Sequence, residues 1–184
     1  NQISSFENGD NARGVNASTV NLSYNRLETF PGVLFAKGSP NNTLQLAGNG
    51  MKSIPKGSMT GSKSHYLSVI DLSYNKLSSL PDDFLPTNVP YLYGIDLNYN
   101  CFSKFPYNPL NCDRLDYFSI RHQRDDAGNR ILKTWPTGLY QCPSLTRCFI
   151  GSNDLRKIDD KFTTRLRILE IADNPNISVD LSAI

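Results

Sequence analysis

The chain has 184 residues, 19 basic and 17 acidic side chains and a formal net charge of +2. So small an excess gives no electrostatic footprint for nucleic acid or for an anionic membrane. No apolar run approaches the roughly 18 residues needed to cross a bilayer, and the length suits one ordinary domain.

One spacing recurs from the first residue onward. Asn1, Ile3 and Phe6 open in frame with Val20, Leu22, Asn25, Leu27, Phe30 and Pro31. Leu44, Leu46, Asn49, Met51, Ile54 and Pro55 follow, and residues 67–81 give the frame in full: Leu67, Ile70, Leu72, Asn75, Leu77, Leu80, Pro81. It returns as Leu92, Ile95, Leu97, Asn100, Phe102, Phe105 and Pro106, then as Leu115, Phe118 and Ile120. The last two units are Leu145, Cys148, Ile150, Asn153, Leu155, Ile158 and Leu166, Leu169, Ile171, Asn174. From Asn1 the asparagines lie 24, 24, 26 and 25 residues apart, then 53 across one irregular unit, then 21. Each unit is numbered below so that its Asn is position 9.

A fixed period in this range is the signature of a leucine-rich repeat. The N-x-L-x-x-L-P-x-x-F form, seen from Asn75 to Phe84, resembles the typical repeats of about 24 residues. Irregular unit lengths and the D-N-P-N-I-S run at 173–178 are similar to surface leucine-rich repeat proteins of gut Bacteroidetes bacteria. The resemblance implies protein–protein or adhesive contact, at the cell surface or outside the cell.

The spacing itself predicts an α/β repeat, a horseshoe-shaped solenoid with one parallel sheet on its concave face. Strands are expected at 20–22, 44–46, 70–72, 95–97, 118–120, 148–150 and 169–171, with alternate residues pointing inward. The residues between the inward pairs, among them Asn21, Gln45, Asp71 and Asp96, are polar and predict a wet concave face. Prolines 31, 55, 81, 106 and 136 argue against regular helix on the return segments, so loops and short 3-10 turns are expected there. Leu34, Phe84, Leu139 and Phe162 would line the convex wall. Residues 1–184 read as a single domain of about seven units that begins and ends within a unit. That predicts a piece of a longer protein, with any signal or anchor outside it.

The ladder residues Asn25, Asn49, Asn75, Asn100, Asn153 and Asn174 are structural candidates, since an amide offers two donors and an acceptor to turn backbone in two coils. Gln123 stands at position 9 of the irregular unit, followed by an insertion of seven residues drawn from 124–130. Gln is expected to imitate Asn, and the insertion to bulge on one side. Cys112 and Cys142 occupy equivalent sites in neighbouring coils, where distance alone does not exclude a disulfide. Two buried thiols are the favoured reading.

The first three units present small polar residues to the concave face. Tyr117, Arg121, Arg147 and Phe149 then fall on adjacent strands, flanked by Tyr99 and His122 at position 8 and by Asp96. Aromatic residues and Arg are the types enriched at interface hot spots. This set is the candidate ligand-binding site, although Tyr99 repeats Tyr24 and Tyr74 and fits a habit of the turn equally well. No nucleophile motif, zinc motif or phosphate loop is present. No cofactor or metal is called for, and the acidic run at 125–126 lacks the pattern of a calcium loop. The expected function is non-enzymatic recognition of a protein, with a glycan possible and nucleic acid not expected. The alternative is a structural spacer with no ligand of its own.

Overall fold

The structure, a computed structural model, describes residues 1–6, 16–35, 42–58, 66–82, 84, 91–106, 113–135, 143–158 and 165–179. Seven short strands form one parallel sheet: β1 (Thr19–Asn21), β2 (Thr43–Gln45), β3 (Val69–Asp71), β4 (Gly94–Asp96), β5 (Tyr117–Ser119), β6 (Arg147–Phe149) and β8 (Ile168–Glu170). Each pairs with the next in strict register, position 4 against position 4: Val20, Leu44, Ile70, Ile95, Phe118, Cys148, Leu169. A second parallel pair, β7 (Lys157–Ile158) with β9 (Ser178–Val179), links the last two units beyond their turns and was not foreseen from the sequence.

The strands begin and end one residue earlier than the spacing predicts, covering positions 3 to 5. The cause is the ladder amide. Leu22, Leu46 and Leu72, all at position 6, still donate N–H to the next strand's end or receive the turn, but their carbonyls are taken by side chains. Asn25 and Asn49 Nδ2 both reach Leu22 O; Asn49 and Asn75 share Leu46 O; Asn75 and Asn100 share Leu72 O. A carbonyl claimed this way has left the sheet.

The inward rows make one continuous core, including Leu44, Ile70 and Ile95 on the sheet and Leu27, Leu77 and Phe102 beyond the turn. Side chains of the terminal units, such as Leu22, Leu166, Leu169 and Ile171, are only partly covered. On the convex side, Gly32–Phe35 forms a 3-10 turn, and Leu34 and Phe84 are buried as expected. Phe84 meets Phe30 edge to face at 6.4 Å. Leu139, Phe162, Cys112 and Cys142 lie outside the described residues.

Each ladder amide bonds within its own turn and across to the preceding unit. Asn75 Oδ1 accepts Asn49 N and Met51 N, while its Nδ2 donates to Leu46 O, Leu72 O and Ser73 O. Asn153 and Asn174 accept Gln123 N and Leu155 N. Gln123 is fully buried; its Oε1 accepts Phe102 N, and its Nε2 donates to Leu97 O and Arg121 O. The extra methylene carries it past its own position-6 carbonyl, Ile120 O, which Asn153 Nδ2 holds instead.

Position 8 turns the chain off the sheet through the left-handed region in all seven units. Tyr24, Tyr74, Tyr99, His122, Ser152 and Asp173 have φ of 55–57°, and Gly48 has 67°. Such a conformation costs a non-glycine residue about 1–2 kcal/mol. In the first six units it is compensated by an N–H bond to the next unit, as in Tyr74 N to Asn98 O and Tyr99 N to Arg121 O.

Candidate recognition surface

The polar residues of the concave face serve the turn first. At position 5, Asn21, Asp71 and Asp96 each accept the N–H two residues on, from Ser23, Ser73 and Asn98, at 2.8–3.0 Å. This is the side-chain turn favoured by short Asn and Asp side chains. Phe149 cannot make it and Ser119, whose hydroxyl donates to Asn98 Oδ1, does not, so neighbours do: Asn98 Oδ1 takes Arg121 N, and Glu170 Oε2 takes Gly151 N. In consequence the face is less wet than the alternation implies. Ser73, Ser119, Ala47 and Gly151 are buried beneath longer neighbours, and Asp71 and Asp96 are half-buried. Burial pushes the Asp96 carboxyl up to about 6; the Asn98 N–H opposes the shift, Asp71 adds to it, and Arg121 lowers it.

Three of the candidate residues come together. The Tyr117 and Phe149 rings lie 5.4 Å apart with a 42° tilt. The Arg147 guanidinium sits 5.4 Å from the centre of Tyr117 and 5.7 Å from that of Tyr93. Phe149 is therefore half-buried rather than a freely exposed ring. The Tyr117 ring leans over Gly94, where a Cβ would lie 3.5 Å away.

Neither arginine is free. Arg147 donates from Nε and Nη2 to Asp116 Oδ2, at 3.0 and 2.6 Å, and from Nη2 to the Tyr93 hydroxyl at 3.0 Å. Asp116 also accepts from Thr146. Burial alone would raise the Asp116 carboxyl, but the Thr146, Tyr93 and Arg147 donors and the Arg147 charge hold it below the usual range. Arg121 Nε pairs with Glu170 Oε2 at 3.1 Å. Asp116 and Tyr93 were missed from the sequence. They stand at position 2, outside the alternating frame, and only the observed register sets them beside Arg147.

Tyr99 and His122 belong to a second row, along the edge of the sheet where position 8 turns. Tyr74 stacks on Tyr99 at 4.3 Å and 8°, and Tyr99 on His122 at 4.3 Å and 26°. His122 Nδ1 lies 3.1 Å from Ser152 Oγ. Burial lowers the His122 pKa, and the Arg124 and Arg130 charges lower it further.

The insertion is a small hairpin closed by an antiparallel bridge between Arg124 and Arg130. Asp125 organises its tip, accepting Ala127 N, Asn129 N and Asn129 Nδ2. Gly128, at φ 83°, makes the reversal. At the base, Arg124 donates to Gln123 O, Ser152 O and Ser152 Oγ. Arg130 donates to Asn153 O, Asp173 O and Asp173 Oδ1. The hairpin thus straps the fifth unit to the sixth and seventh along the edge. Among the described residues no cluster of His, Cys, Asp and Glu is suited to a metal, and no helix is long and apolar enough to cross a membrane.

Comparison with known proteins agrees with this architecture. A family model described as Leucine Rich Repeat matches residues 66–87. A leucine-rich repeat protein of Bacteroides thetaiotaomicron superposes with a TM-score of 0.90 at 54% identity, over 95% of this chain and 21% of its own. One from Bacteroides eggerthii gives 0.87 at 51% identity, over 92% of this chain and 28% of its own. Toll of Drosophila, in its complex with Spatzle, shares the fold alone, at a TM-score of 0.60 and 16% identity over 88% of this chain and 27% of its own. No curated protein matches the sequence. The chain spans about a quarter of the two Bacteroides structures. It is a leucine-rich repeat solenoid, similar along nearly its whole length to leucine-rich repeat proteins of Bacteroides.

Proposed function

We propose that this protein is a non-enzymatic recognition module that engages a protein partner through the concave face of the fourth to sixth units. Leucine-rich repeat folds are generally protein-interaction scaffolds, and the Bacteroides relatives point to a bacterial origin. The observation that carries the reading is Arg147, fixed by Asp116 and flanked by the Tyr93 and Tyr117 rings beside Phe149. A guanidinium and rings held in place before binding lose little side-chain entropy on contact. Such residues are the types that dominate interfaces. The fold gains little from a Phe at position 5, where the other units carry Asn, Gln, Asp, Ser or Glu. We place the module outside the cell or on its surface, in adhesive or receptor-like contact.

The test is titration of a captured partner against single variants. Tyr117→Ala, Arg147→Ala and Phe149→Ala should each cost more than about 1 kcal/mol of binding, and Gln45→Ala almost nothing. A partner indifferent to all three places recognition elsewhere; the absence of any protein or glycan partner favours the spacer.

A further inference from the structure

The charges of the concave face pair off unevenly. Arg121 is committed to Glu170 and Arg147 to Asp116, which leaves Asp71 and Asp96. These two carboxylates stand directly opposite each other on β3 and β4. Like charges so placed repel, and among the described residues no cation forms an ion pair with either. One oxygen of each is used, Asp71 Oδ1 by Ser73 and Asp96 Oδ1 by Asn98. The second oxygen of each accepts no hydrogen bond from the described residues. The chain as a whole is net positive, so this half-buried pair is a local exception to its own background.

The surroundings suit a cation with an apolar stem. Tyr117 leans over Gly94, the residue two before Asp96 on the same strand; burial raises its phenol pKa, and the Asp96 and Asp71 charges add to the rise. Val69, two before Asp71, is exposed. A Lys or Arg side chain buries its methylenes against such a surface while its charged head reaches the carboxylates. The ring face attracts the same charge.

We propose that the concave face takes a basic side chain of its protein partner, Lys or Arg, seated on Asp71 and Asp96 with its stem against Tyr117. This rests on the concave face being the recognition surface and adds the chemistry of what it recognises. A bound cation would satisfy both idle oxygens and remove the repulsion across β3 and β4. An acidic segment would meet two arginines already paired and two carboxylates held in no ion pair among the described residues, with the Arg121 charge only near Asp96.

A displayed library of random dodecapeptides, selected on the folded chain at neutral pH, tests this. Asp71→Asn and Asp96→Asn keep Oδ1 for the turn, as Asn21 does at the same position, so the double variant retains the fold. Recovered peptides should be enriched in Lys or Arg over the starting library. Their binding should fall about tenfold or more in the double variant, should weaken in Phe149→Ala, and should be unchanged in Gln45→Ala. Peptides that depend on Phe149 but show no basic enrichment, or that bind the double variant as well as the native chain, overturn the cation seat and leave the recognition face standing. Peptides indifferent to Phe149→Ala and to the double variant alike, or no recovery above an unrelated protein, overturn both.

Discussion

Glu170 reaches back across β6 to Arg121, and its carboxylate occupies the space that a Cβ on Gly151 would need. The carboxylate oxygens lie 2.2 and 2.5 Å from that Cβ position, while Oε2 also accepts Gly151 N. The pair exists because the residue between its members has no side chain. Gly151→Ala should push Glu170 aside and destabilise by roughly 1–2 kcal/mol, mostly through the lost bond to a buried N–H. In a double-mutant cycle by urea unfolding, Gly151→Ala and Glu170→Ala should be non-additive by at least about 0.5 kcal/mol. Additive effects would show that the two residues are independent.

Asp96 carries the pH dependence that can be assigned to one group. Its folded pKa of about 6 lies above the unfolded 3.8. Between those values the folded chain keeps a proton that the unfolded chain has released. Stability from this group is therefore present below pH 4 and is lost as pH rises through 6. Asp96→Asn should stabilise the protein by about 1–2 kcal/mol at pH 7 and make no difference near pH 4. His122 acts oppositely, since its lowered pKa makes stability rise with pH toward 6.5. The difference between native and variant curves cancels it. A difference that is flat from pH 4 to 7 refutes the assignment.

The ladder should be unequal to the rest of the polar face. Asn75→Ala removes five hydrogen bonds from a buried turn and should cost about 2–4 kcal/mol. The Gln45 side chain, half-buried and with no hydrogen bond to the described residues, should cost less than about 0.5 kcal/mol when truncated to Ala. Chemical denaturation midpoints decide, and equal midpoints contradict the ladder's role.

The hairpin should depend on its tip. Asp125→Ala removes the acceptor that orders Ala127 and Asn129, which loosens Arg124 and Arg130 from the turns they cap. Limited trypsin digestion should then cut after Arg130 several-fold faster than in the native chain, with little change in the global unfolding midpoint. Unchanged cutting means that the arginines alone hold the loop.

The repeat was legible in the sequence because its inward residues and its position-9 amides are what each coil must bury, so the same spacing recurs whatever faces outward. The one-residue displacement of the strands was not legible, because it depends on which carbonyl an amide in the next unit captures. Asp71 and Asp96 read correctly as polar but as wetter than they are: the alternation gives their direction, while their depth follows from long neighbours such as Tyr117. Tyr117, Arg147 and Phe149 could be placed on adjacent strands by spacing alone. Asp116 and Tyr93, which fix Arg147, could not, since pairs two positions ahead of a strand centre have no periodic signal. Tyr99 and His122 share the unit frame with the cluster but stack along a different edge, a distinction set by the left-handed turn at position 8.

The ladder amides also determine how the molecule comes apart. Asn49, Asn75 and Asn100 each bond a carbonyl of their own unit and one of the unit before, so removing one coil strips acceptors and donors from its neighbour. Free energy in such an array divides between units and the junctions that join them. Here the junctions hold the buried amide bonds, and a unit at the middle has little reason to melt by itself. Gln123 keeps its bonds to the preceding unit and lacks only the one to its own position-6 carbonyl, and Arg124 and Arg130 clamp the two following turns from outside. Cooperative melting is thereby carried through the point where the sequence departs most from its own rule.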